Sequence, residues 1–147
     1  HVNFFAVRDA LVVALKAALP AGTHVLTADD LDDIDEAKQP TPAVHVIYGG
    51  FSVGEVSRGG RTAVIEQRWL VVSVIKHTGD KAKSSRESGA RVEPLVQGVL
   101  DELMGWRHAS TRMQPLTLQS PPAPVPRYPF YYFPLAFSAT VALEKPR

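Results

Sequence analysis

Residues 39–77 read QPTPAVHVIYGG, FSVGEVSRGG and RTAVIEQRWLVVSVIKH, three extended stretches divided by Gly49-Gly50 and Gly59-Gly60. β-Branched and aromatic residues fill the stretches, and paired glycines favour tight reversals. The pattern therefore predicts strands at roughly 43–48, 51–58 and 62–76, linked by hairpins into an antiparallel meander. The third stretch is apolar on both sides, with Trp69, Val71 and Ile75 on one and Leu70, Val72 and Val74 on the other. Such a strand needs a covering layer on each face.

Working outward, Phe4, Val7, Leu11, Val12, Leu15 and Leu19 recur at helical spacing, with Asn3 placed to cap the start and Pro20 and Gly22 to end the segment. Thr23–Thr27 reads as a short strand, and the acidic run ADDLDDIDEAK that follows reads as a loop. Downstream, Val92, Leu95, Val96, Val99, Leu100 and Leu103 mark a second helix closed by Gly105. Pro94 leaves two placements open, a helix beginning near Glu93 or a longer one beginning near Lys83. A strand at 114–119, a stiff proline-rich connector SPPAPVPRYP and a closing strand from about Phe130 to Leu143 complete the chain. The expected fold is α+β, a mostly antiparallel sheet of about five or six strands with two helices packed on one face. The bare face of strand 62–76 then calls for a partner, and self-association is the simplest source.

The 147 residues suit one domain spanning 1–147. A net charge of +1 disfavours nucleic-acid binding, because phosphate neutralisation supplies most of that affinity. No apolar run approaches the ~20 residues of a membrane span. The N-terminal segment carries Arg8, Asp9 and Lys16 within its apolar pattern and reads as a helix, in preference to a signal peptide. Without cysteine there are no disulfides and no thiol chemistry.

Several patterns invite a catalytic or ligand reading and fail on spacing. A calcium loop started at Asp30 would place Asp35 where glycine is needed and Thr41 where glutamate is needed. His24, His45, His77 and His108 are scattered with no metal-ligand spacing. The serines lack a nucleophile elbow and the glycines lack a phosphate-cradling pattern. The aromatics Tyr128, Phe130, Tyr131, Tyr132 and Phe133 read as core and interface in preference to a stacking platform. No enzyme, metal or cofactor is expected.

The order of elements, with LTADDLDDIDEAKQPTPAVHVIYGG at 26–50, IEQRWLVVSVIKH at 65–77, VEPLVQGVLDELMGWR at 92–107 and YYFPLAFSATVAL at 131–143, resembles the tail terminator proteins of long-tailed bacteriophages and prophages. The likeness covers nearly the whole chain. It implies a structural subunit that forms a homo-oligomeric ring, typically a hexamer, on the finished tail tube. That ring stops tube polymerisation and offers a surface to head-completion (neck) proteins. The implied partners are further copies of the chain, the tail tube protein and the head-completion proteins. The implied location is the virion tail, after assembly in the host cytoplasm. The rival readings are a neck or head–tail joining protein, a sheath or baseplate component, and, in another class, a small-molecule-binding domain with a pocket beside the proline-rich connector.

Charge suggests where subunits would meet. Asp30, Asp32, Asp33 and Asp35 form an acidic loop, while Arg58, Arg61, Lys76, Lys81 and Lys83 give a basic side. In a ring, opposite charges on two different surfaces steer head-to-tail contact. Trp69, at the centre of the doubly apolar strand, joins these as an expected interface residue, in a contact of about 1,200–2,000 Å² with an apolar centre and charged rim.

Overall fold

A computed structural model describes residues 4–28, 38–77, 81–108 and 112–145, with side chains in the third segment from residue 87 onward. Helix α1 covers Ala6–Ala18, strand β1 His24–Ala28, β2 Ala43–Val56, β3 Thr62–Lys76, helix α2 Lys81–Leu103, β4 Thr117–Gln119, β5 Val125–Arg127 and β6 Phe130–Glu144. The strands make one sheet in the order β1-β2-β3-β6-β4, with β5 also paired to β6. Two helices on a mostly antiparallel sheet constitute the expected α+β fold.

β2 and β3 carry the largest departure from the expected meander. The register passes from Tyr48 opposite Trp69 to Phe51 opposite Gln67, so Gly49-Gly50 absorbs one extra residue as a bulge inside a continuous strand. Gly50 lies at φ +92°, open to glycine, and a Cβ on Gly49 would sit 3.1 Å from the Arg68 carbonyl oxygen. A second shift falls between Val53 and Val56. The true reversal is at Gly59-Gly60, where the Ser57 amide donates to Thr62 O at 2.9 Å and the Gly60 amide to Ser57 O at 2.8 Å. Two separate strands were expected where one long arm exists, because paired glycines serve a bulge as readily as a turn.

The edges also differ from the expected pattern. β1 pairs with β2 in parallel, His24 opposite Ala43 through Ala28 opposite Ile47, at the edge of a mostly antiparallel sheet. Strand 114–119 shrinks to Thr117–Gln119 plus a bridge from Met113 to Val141, since Pro115 has no amide to give the ladder. The proline-rich connector contributes a strand of its own, Val125–Arg127 against Phe130–Tyr132. α2 takes the longer of its two placements and runs through Pro94. Asn3 lies outside the described residues; the residue before α1 is Phe5, which makes no side-chain cap bond.

Both helices lie on one face. Val7, Leu11 and Leu15 of α1 and Val99 and Leu103 of α2 pack with Val44, Val46, Trp69, Val71, Leu135 and Phe137 of the sheet in the main core. Val92 and Leu95 of α2 extend it to Ile75. On the opposite face Ile47, Val72, Val74 and Tyr132 form a smaller buried cluster. There the chain doubles back over its own sheet: Gln39 donates to Tyr132 Oη at 2.9 Å, and its carboxamide oxygen lies 3.3 Å from His45 Nε2. The second face of β3 is therefore covered by the chain itself at Val72 and Val74, where an external partner had been expected.

Candidate assembly surface

Trp69 is not available to a neighbour. Its ring is fully buried, 5.5 Å from Tyr48 and 6.4 Å from Phe5 by ring centroids, and its indole N–H lies 3.4 Å from Gln67 Oε1. Gln67 in turn donates to the Phe4 carbonyl at 2.8 Å, fastening the start of α1 to the sheet. The expectation of an interface tryptophan is corrected by layering: its side of β3 is the helix side. The aromatic side chain supplies core instead.

The basic residues fall into two groups. Arg58 and Arg61 flank the β2–β3 reversal, both exposed, while Lys76 ends β3 with its ammonium 5.8 Å from the Phe130 ring centre. The 15 residues of β3 put roughly 46 Å between these ends. Lys81 and Lys83 belong to the first turn of α2, on the Lys76 side, and their side chains lie outside the described residues. Asp30, Asp32, Asp33 and Asp35 lie outside them as well. The run that contains them is anchored at Ala28, paired beside Ile47, and at Lys38–Gln39. No single patch gathers all the charges singled out in the sequence.

What the sequence reading missed is apolar. α1, at 13 residues, spans roughly 20 Å, against roughly 43 Å for the 14 residues of β2. The far half of β2 outruns both the helix and β1, whose pairing ends at Ile47. Along that half Phe51, Val53 and Val56 sit opposite Gln67, Ile65 and Ala63, on the helix side of the sheet, and are 50%, 58% and 54% exposed. The bulges keep all three on one side although their spacing is irregular. That irregularity hid them, because a run of three on one face without a bulge would read as F-x-V-x-V. The comparison of helix and strand lengths was the signal available in the sequence.

Two other places have the polarity of a site without its enclosure. An open cleft on the non-helical face is lined by Gly49, Gly50, Ser52, Glu66, Arg68 and Gln119, with Arg68 reaching the Ser120 carbonyl at 3.4 Å. At the Lys76 end, His77 is buried. Arg91 donates to its Nδ1 at 3.1 Å and to the Lys76 carbonyl at 3.1 Å, and Nε2 stands 3.9 Å from the Glu87 carboxylate. This arrangement splices α2 to the end of β3, with Arg91 as the donor. Among the described residues no three potential metal ligands converge.

In solved structures the chain is similar to one in "Virion of native gene transfer agent (GTA) particle", with a TM-score of 0.56 and 20% identity over 94% of this chain and 98% of that one, a likeness of fold. No curated protein matches it. The family model described as phage tail terminator protein matches residues 1–147. With every residue inside that match, the chain belongs to the phage tail terminator protein family and is a structural protein of a phage tail.

Proposed function

We propose that the protein closes the finished tail tube: copies of it form a ring, hexameric in the family resemblance, that halts tube polymerisation and presents the surface where head-completion proteins attach. The observation that carries this is the family match along the whole chain. The mechanism is geometric. One ring face offers what a tube subunit would offer and the other withholds it, so the next subunit finds no site. It involves no chemical transformation. The protein would be made in the bacterial host cytoplasm and leave in the virion tail.

Within the ring, the acidic run with Asp30, Asp32, Asp33 and Asp35 of one subunit faces basic residues of the next, either Arg58 and Arg61 or the group at Lys76, Lys81 and Lys83. The length of β3 makes these alternatives exclusive for any one contact. Reversal of Asp32 and Asp33 to lysine should weaken assembly, more at low salt than at high. Arg58→Glu/Arg61→Glu should restore it only if the hairpin tip is the partner. Unchanged assembly of the aspartate variant would discard the pairing.

The deciding experiment is tail length by negative-stain electron microscopy in particles from a producer lacking the gene. Overlong, headless tails are expected. Tails of normal length that fail to join heads would move the protein to the neck, and intact particles would overturn the tail reading.

A further inference from the structure

We infer that the apolar strip Phe51-Val53-Val56, with Phe5 at its inner end, is the centre of the contact between two copies of this chain. The inference rests on the ring reading above and gives it a location. Nine large apolar side chains are exposed among the described residues, and four of them lie along this strip. The others are scattered along the chain, as single exposed apolar residues commonly are. The strip continues the main core without a break: the Phe51 ring stands 5.3 Å from Phe4, which stands 5.0 Å from Phe5 and 5.9 Å from Tyr48, itself against buried Trp69. Among the described residues no helix lies over this part of β2, so the apolar surface runs from a packed core onto an exposed stretch of strand.

The backbone points the same way. Among the described residues no strand lies beside the outer edge of β2 from Tyr48 to Val56, because β1 stops opposite Ile47. Uncovered edges are normally blunted by charge or by bulges. This one has two bulges and Glu55, which discourage indiscriminate strand addition while leaving the side-chain face open. The occupant is a second copy because of charge. The strip ends at Arg58 and Arg61, and this same chain carries six acidic residues within 29–36 to meet them at the rim. Head-to-tail repetition of one such contact gives a ring when the rotation between copies closes.

The absence of cysteine makes the test direct. Val53→Cys places a unique thiol on the strip, and Val13→Cys places one on α1, at a residue 68% exposed, as a control for reagent access. Each full-length variant is separated into monomer and assembled fractions, free in solution or on purified tails, and labelled with a maleimide read by mass spectrometry. The thiol at 53 is expected to react freely in the monomer and to be lost from labelling in the assembly. A companion variant, Val53→Asp/Val56→Asp, should lower the assembly constant about tenfold or more while circular dichroism of the monomer stays unchanged. Full reactivity of the thiol at 53 in an intact ring would overturn the strip and leave the ring reading standing. Failure of the unmodified chain to self-associate in either setting would overturn both.

Discussion

The two halves of β2 are built from the same kind of residue and end in opposite environments, although Ile65 and Gln67 of β3, opposite the far half, stay buried. In the near half, Val44 and Val46, with Val71 and Trp69 of β3, meet helices on one face, while Val72 and Val74 on the other belong to the cluster that Gln39 crosses. In the far half, Phe51, Val53 and Val56 have the same apolar character and are about half exposed. Residue type does not distinguish them. The helices reach only part of the sheet, so an identical strand chemistry yields core at one end and an available surface at the other.

The sharpest way to break this comparison is to cut a side chain from each half. Trp69→Ala should cost about 3–5 kcal/mol of subunit stability in urea unfolding, since it empties a fully buried indole site and strands Gln67. A cost under about 1 kcal/mol would show that the near half is not the anchor of the fold. Gln39→Ala should follow at about 1–3 kcal/mol, because it removes the group that joins Tyr132 Oη to His45 on the second face. Unaffected stability would show that the second face holds together without this link.

A third effect is a dependence on pH. Desolvation by burial lowers the His45 pKa below its ordinary 6.5, so this imidazole is neutral in the fold. Below about pH 6.5 the unfolded chain takes up the proton first, and its gain is the fold's loss. The His45 contribution is thus complete above about 6.5 and declines as pH falls beneath it. His45→Gln should flatten the urea midpoint between pH 7 and 5.5 relative to the parent chain, and equal slopes would place the pH response elsewhere. The smallest effect belongs to the far half: Val53→Ser, at a site 58% exposed, should change monomer stability by no more than about 0.5 kcal/mol. A larger loss would mean that the arm is packed within the subunit.

Much of the chain was legible because it obeys simple periods. Leu11 and Leu15 in α1, Val99 and Leu103 in α2, and the runs of β-branched and aromatic residues in β3 and β6 gave the two helices and the long strands. Reading failed where local chemistry supports two outcomes. Gly49-Gly50 suits a turn and a bulge equally, and only the partner strand, with Arg68 pressed against Gly49, selects the bulge. β1 offers no sign that its partner runs parallel, since pairing direction is set by where β2 enters the sheet and not by the residues of β1. Trp69 read as an interface residue because a strand with two apolar faces does not disclose which face its helices take.

By itself, then, the sequence determined the α+β class, the helices, the long strands, the lack of thiol chemistry and the whole-chain likeness that its family membership bears out. These depend on composition and on periods of a few residues. The tertiary structure alone decided that Trp69 is core, that the basic residues sit at opposite ends of β3, that Gln39 links Tyr132 to His45 on the second face, and that Phe51, Val53 and Val56 form one exposed strip. Those outcomes depend on register and on the reach of one element over another, and register is settled only when distant segments compete for the same surface.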